Sequence, residues 1–190
     1  LIEHLQRWLA GRGHPVHATT EPSHATLGQI ARYRTDAYHG HALACLVAAD
    51  RYHHLATEIR TALADGKIVL CDRYVASSYV LQRLDGVPME FIEALNADAD
   101  RPDLAIILTA DPVTTAERIA QRIAHTRFET EPGLHQREAD LYRDTAIRLA
   151  VAGYRLLTAD STAQRPDRIA EQLGPRIASL AEQVGRPPTA

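Results

Sequence analysis

The runs "KIVLC" (67–71) and "DLAIILTA" (103–110) limit the fold more than any other feature of the chain. Both are nearly unbroken stretches of apolar and β-branched residues, without the polar alternation of a strand that faces water. A run of that kind fits a strand buried on both faces, and such strands sit in parallel sheets wrapped by helices. Two further runs, 14–20 and 154–159, read as strands. Helices are expected between them at 25–33, 41–65, 75–84, 88–97, 112–124, 138–152 and 166–183. The opening "LIEHLQRWLAGRG" also has helical spacing, with Ile2, Leu5 and Leu9 on one face and Gly11 and Gly13 as the stop. Strands alternating with helices specify an α/β domain with a mostly parallel sheet and right-handed crossovers.

In an open sheet of this class, ligands bind outside the carboxyl ends of the strands. Glu21, Asp72, Arg73 and Asp111 each follow a predicted strand, so all four are expected on one rim. The length of 190 residues suits one buried domain, taken as 1–184, with a disordered tail "GRPPTA" at 185–190. The formal net charge of −3 argues against a protein that coats nucleic acid. It leaves room for a phosphate pocket, which needs only a few local arginines. No apolar run approaches the ~20 residues that span a bilayer. Cys45 and Cys71 fall on different predicted elements and suggest no disulfide framework, which makes a reducing cytoplasm the default compartment.

Asp72-Arg73 stands where the buried strand meets the rim. The planar Arg73 fork matches phosphate or carboxylate oxygens, and Asp72 could hold a water of a hydrated Mg²⁺. A local ion pair closing the turn is the alternative. Arg51 lies on the long helix. Arg118 and Arg122 share a helix face at i,i+4 and lead to Arg127 in a polar segment, 125–133, that ends in proline and glycine. A solvated face paired with acids explains the first two singly; a closing lid that neutralises phosphate charge explains the set. His39 and His41, and the adjacent His53 and His54, lack the i,i+4 spacing that joins two metal ligands on one helix face, so surface or packing roles are expected. Ser77-Ser78 has no glycine elbow around it, and N-capping or a hydrogen bond to substrate is the better reading. Cys71 reads as inert core.

Several spaced pieces together resemble the bacterial thymidylate kinases, P-loop nucleoside monophosphate kinases. They are "TEPSHATLG" (family form roughly TREPGGTxLG), "LVAADR", "GKIVLCDRYVASSYVLQ", "PDLAIILTADPVTTAERIAQR" and "RFE", in the family's order and spacing over most of residues 1–170. The resemblance implies a three-layer P-loop kinase-like parallel sheet with helices on both faces, and transfer of the γ-phosphoryl group of ATP to dTMP with Mg²⁺. It implies that Arg73 binds the acceptor phosphate, with Asp72 near the magnesium-water network as the metal-side carboxylate. Arg51 and Gln82 would reach the thymine base, with Ser78 on the same wall and Glu21 on the acceptor side. Arg127 would approach the ATP phosphates from the lid, with Arg118 and Arg122 towards the same side. Asp72, Arg73 and Arg127 would form the catalytic group. A cytoplasmic homodimer packed through helices is implied too, with the helix at 41–65 as a contact surface.

The departures from the family pattern bear on both substrates. GxxxxGK(S/T) does not occur in the sequence. In the family that motif follows the central first strand, and its backbone N–H groups and lysine cradle phosphates. The expectation is therefore a longer parent chain, with the 190 residues inactive alone. Without the central strand, 67–71 and 103–110 would lie two strand spacings apart, roughly 10 Å, with unpaired backbone on both sides. Val47 stands where the family has a phenylalanine that stacks on thymine, Leu81 replaces a common tyrosine, and Thr20 replaces the arginine of TREP. A kinase for another nucleotide or nucleoside, and a P-loop-free nucleotide-binding relative without catalysis, are the competing readings.

Overall fold

The computed structural model describes residues 1–120 and 134–184. In chain order the elements are α1 (Ile2–Ala10), β1 (Val16–Thr20), α2 (Thr26–Tyr33), α3 (Gly40–His54), α4 (Arg60–Ala64), β2 (Ile68–Asp72), α5 (Val75–Leu84), α6 (Met89–Leu95), β3 (Ala105–Thr109), α7 (Pro112–Ala120), α8 (Leu134–Val151), β4 (Leu156–Asp160) and α9 (Pro166–Val184). The region read as one helix over 41–65 is instead α3 and α4 joined by a π-helical turn at Leu55–Ile59.

Local chemistry fixes the entry to the buried strand. Gly66 has φ +73 and follows the end of α4; its N–H bonds to the Leu63 carbonyl, and Lys67 N–H bonds to that of Ala62. This pair of bonds is a Schellman stop, which needs a left-handed residue that glycine supplies without a Cβ clash. The chain therefore reverses directly from α4 into β2.

β1 and β2 pair in parallel from Val16↔Ile68 to Thr20↔Asp72, and β3 and β4 from Ala105↔Leu156 to Thr109↔Asp160. Among the described residues the strands form two separate two-stranded ribbons, and β2 is not paired with β3. One helical layer joins the ribbons. Leu5 and Leu9 of α1 and Ile169, Ala170, Leu173 and Ile177 of α9 form a buried cluster that collects Val16, Ile68, Ile106, Leu157 and Ala159. This is the face predicted from Ile2, Leu5 and Leu9, and α9 comes close enough for a Cβ at Gly174 to overlap the Trp8 ring. His17 and Thr19 point to the opposite face, where they bond Glu58 and His54. α8 packs on β3 and β4 and against α5. Helices thus cover both faces. No helix among the described residues is long and apolar enough to cross a membrane.

The loop after β1 carries the site, and α2 holds it from below. Gly28 of α2 is buried against that loop, and a Cβ there would come within 2.7 Å of the Ser23 carbonyl carbon. Backbone cannot yield as a flexible side chain can. Gly28→Ala is expected to cost about 1–3 kcal/mol, the range for overpacking, read as a lower urea midpoint. An unchanged midpoint would show that the loop moves freely over α2.

Candidate acceptor site

The carboxyl ends of β1 and β2 hold the candidate residues together. Glu21 N–H donates to the Asp72 carbonyl at 2.9 Å, which extends the ladder one step beyond Thr20↔Asp72. The next residues turn through a cis Glu21–Pro22 bond. Ser23 then ties the loop to α3: its N–H and its Oγ each donate to an Asp50 carboxylate oxygen at 2.6 Å. This places the Glu21 carboxylate under the loop, only 2% exposed.

Arg51 meets it there. The side chain is 1% exposed and each guanidinium nitrogen is engaged: Nε donates to Glu21 Oε2 at 2.8 Å, Nη2 to Ser78 Oγ at 2.9 Å, and Nη1 to Asn96 Oδ1. Asn96 is oriented in turn by donating its amide to the Ile92 carbonyl at 2.7 Å. The Tyr74 ring lies 5.2 Å from Arg51 Cζ, within cation–π range. A buried charge of this kind is tolerable only when paired and fully hydrogen-bonded. Arg51 is paired with Glu21, and each of its three nitrogens makes a hydrogen bond. The guanidinium expected to reach a base thus bonds Glu21, Ser78 and Asn96 in this structure, and the residue also lines the cavity. Ser78 caps no helix, since α5 begins at Val75; its hydroxyl accepts from Arg51.

On the other oxygen of Glu21 lies His54. Its Nδ1 is 3.4 Å from Glu21 Oε1, while Nε2 is 2.8 Å from Thr19 Oγ1 and 3.5 Å from Glu58 Oε2. Burial alone would lower the His54 pKa, but the hydrogen bonds and charges of Glu21 and Glu58 outweigh it and raise the value above 6.5. Sequence reading passed over this residue by comparing histidines only with one another. Arg51, His54 and Glu58 stand at i, i+3 and i+7, a spacing that puts them on one helix face.

Arg73 is the opposite case. It is exposed at φ +66, a left-handed conformation that side chains other than glycine, asparagine and aspartate seldom adopt. Among the described residues neither its guanidinium nor the Asp72 carboxylate has a hydrogen-bond or ion-pair partner, and the two do not pair with each other. The alternative of a local ion pair closing the turn is therefore not what forms. Cys71 Sγ lies 3.1 Å from the Arg73 carbonyl oxygen, as donor. Burial, followed by the Glu21 charge, pushes the Cys71 thiol pKa well up, in keeping with an inert core role.

A cavity of about 320 Å³ opens between these groups. It is lined by Asp72, Arg73, Ser77 and Ser78, by Glu21, Pro22 and Arg51, by the apolar Leu43, Val47 and Leu81, and by Gln82. Arg32 and Tyr33, at the end of α2, also border it, and Arg32 donates to the Pro22 carbonyl. Neither was singled out from sequence, where the end of a short helix carries no signal of its own. A larger, shallow groove between β4 and α9, with Thr158, Asp160, Gln172 and Arg176 on its margin, contains none of the candidate residues.

Other expected residues lie elsewhere. Asp111 does not join the rim cavity; its Oδ1 accepts from the Val113 and Thr114 N–H groups and caps α7. Arg118 is exposed and donates to the Ser161 and Thr162 carbonyls, which ties α7 to the turn after β4. Arg122 and Arg127, the lid at 125–133 and the tail at 185–190 fall outside the described residues. The ligand atoms of Glu21, His54 and Cys71 lie within 4.8 Å of one another. The Arg51 guanidinium on Glu21 opposes a second cation there, and the soft, nitrogen-bearing set does not suit Mg²⁺.

Comparison with known proteins agrees with this geometry. The thymidylate kinase family model matches residues 1–167. A probable thymidylate kinase of Pyrobaculum aerophilum is 33% identical over 174 residues, which cover 90% of this chain and 85% of the relative. A thymidylate kinase of Leifsonia xyli subsp. xyli is 36% identical over 184 residues, covering 91% and 85%. One of Clavibacter michiganensis subsp. michiganensis is 34% identical over 188 residues, covering 93% and 86%. With a family model matched over residues 1–167 and relatives covered over about 85% of their length, the chain belongs to the thymidylate kinase family.

Proposed function

We propose that the chain acts as a dTMP kinase whose acceptor pocket is the cavity at the ends of β1 and β2. The observation that carries the reading is Arg73: a guanidinium without a partner among the described residues, held at φ +66 on the cavity edge. Strained backbone at a ligand-facing residue persists where function requires it. A dianionic phosphate would supply the missing partner through two parallel charge-assisted bonds.

Arg73 would neutralise the dTMP phosphate and turn one of its oxygens towards the donor. That oxygen forms the new bond to the γ-phosphorus as the β–γ bridge breaks, giving dTDP and ADP. Arg51 would act through the wall, holding Ser78 and Glu21 in place, and Gln82 would offer its amide to the base edge. ATP with Mg²⁺ supplies the transferred group. Asp72 suits the cation side, because it is an exposed carboxylate at the rim with no competing partner among the described residues. The GxxxxGK(S/T) cradle is not within the 190 residues, so the described residues account for the acceptor half of the site. A lid at 125–133 bearing Arg127, a contribution of Arg118 and Arg122 on the donor side, a cytoplasmic location and a homodimer contact along α3 belong to the same proposal.

Val47 favours a second reading, a kinase for a different pyrimidine monophosphate. Its side chain gives the wall apolar contact but no aromatic face, and base–aromatic stacks contribute about 1–3 kcal/mol. Calorimetric titration with dTMP, dUMP, dCMP and thymidine separates the two. Tightest binding of dTMP supports the first reading, and preference for another monophosphate supports the second.

Arg73→Gly is a sharper test. Glycine accepts the left-handed backbone and removes the guanidinium, so stability should stay within about 1 kcal/mol of the parent or rise. The dTMP dissociation constant should increase at least tenfold, with thymidine binding unchanged. Unaltered dTMP affinity would remove Arg73 from the acceptor site. The 190-residue chain alone is expected to turn over ATP negligibly in the presence of dTMP, and steady turnover would show that another phosphate cradle exists.

A further inference from the structure

We propose that His54 is a positioning residue of the acceptor pocket: a buried imidazolium between Glu21 and Glu58 that fixes the carboxylate on which Arg51 is built. The inference rests on the acceptor-site reading above but assigns a role to a residue outside the cavity lining.

Geometry carries it. Nε2 has Thr19 Oγ1 at 2.8 Å and Glu58 Oε2 at 3.5 Å. The Thr19 hydroxyl donates to Glu58, so its oxygen is left to accept, and a ring protonated only on Nδ1 would turn a bare Nε2 towards two acceptors. Nδ1 faces Glu21 Oε1 at 3.4 Å. A neutral ring protonated on Nε2 would set a bare lone pair against a carboxylate in a buried space, where unpaired polar groups are costly. A ring protonated on both nitrogens donates on both sides. Glu21 then has His54 on Oε1 and Arg51 on Oε2, and cannot rotate without breaking one of them.

The charges around the ring support this form. On its own helical stretch stand Asp50, Arg51 and, within the π turn, Glu58; the loop after β1 brings Glu21. β1 contributes His17, whose Nε2 lies 2.8 Å from Glu58 Oε1. β2 and the residues after it contribute Cys71 and Tyr74, and burial pushes the pKa of both up, which keeps them neutral. Asp50 is committed to Ser23 and Arg51 to Glu21. Glu21 and Glu58 are the carboxylates that face His54, each through the oxygen not taken by Arg51 or His17. π turns recur at functional sites, and this one begins directly after the residue in question.

The consequence is a pH dependence of acceptor binding. A raised His54 pKa means that its contribution is complete below 6.5 and is lost as pH rises through the folded-state value. Two measurements on the full chain test the idea. In histidine-selective ¹⁵N NMR without ligand, both His54 nitrogens should be protonated at pH 6.5; a neutral ring there overturns the proposal whatever the chain binds. In dTMP calorimetry from pH 6.5 to 9, wild-type affinity should fall with an alkaline limb that is absent from His54→Gln. The His54→Gln affinity should be about tenfold weaker at pH 6.5, and the two proteins should converge at high pH. A His54→Gln profile parallel to wild type contradicts the positioning role. Absence of dTMP binding by wild type with a doubly protonated His54 contradicts the acceptor assignment instead, and the same titration with another monophosphate that binds then decides the role of His54.

Discussion

A guanidinium sealed inside a protein must have every nitrogen answered, and the site is arranged around meeting that demand for Arg51. Its partners come from three separate places: Glu21 after β1, Ser78 on α5 and Asn96 after α6. The cost of leaving any one group unmade is the desolvation of a buried charge, several kcal/mol in scale. The same bonds therefore fix the distance between the β1 loop and α5, which are two walls of the cavity. Asp50 reinforces the arrangement from the adjacent helical position by holding the Ser23 backbone and hydroxyl.

Against that network, the side chains of Asp72 and Arg73 at the end of β2 have no hydrogen-bond or ion-pair partner among the described residues. The contrast separates two kinds of charge in one pocket. Arg51 bonds Glu21, Ser78 and Asn96, while the Arg73 side chain has no hydrogen-bond or ion-pair partner among the described residues and its backbone holds an unfavourable angle at the rim. Phosphoryl transfer asks for positioning and charge neutralisation more than for covalent chemistry. A wall held by Arg51 and a guanidinium unpaired among the described residues would supply both.

Much of this was legible in the sequence because the strongest signals are local. The apolar runs at 67–71 and 103–110 appear as β2 and β3 with edges shifted by one or two residues. Of their residues, however, Leu70 and Ile107 are buried and Leu108 is exposed, short of the burial on both faces expected. The apolar face of α1 packs on α9 as its spacing indicates. Gly66 marks the end of the helical stretch before β2. The π turn at Leu55–Ile59 was not legible, since one extra residue in a turn leaves the apolar pattern almost unchanged. Nor was the start of α8 at Leu134, four residues before the expected 138, where a polar sequence blurs the helical period. The network that holds Arg51 was hidden for a different reason. Its partners Asn96 and Ser78 lie 45 and 27 residues away, and no local pattern reveals that they meet. Asp111 shows the limit of placing residues by strand order alone: it follows β3 as expected and then serves as a helix cap.

The division between a committed Arg51 and an available Arg73 is most directly tested by a crystal structure of the chain soaked with dTMP. The phosphate oxygens should lie about 3 Å from the Arg73 guanidinium, with Arg51 still bonded to Glu21 and Ser78. A phosphate bound away from Arg73, or an Arg51 that leaves Glu21 to take the nucleotide, would contradict the assignment of wall and clamp.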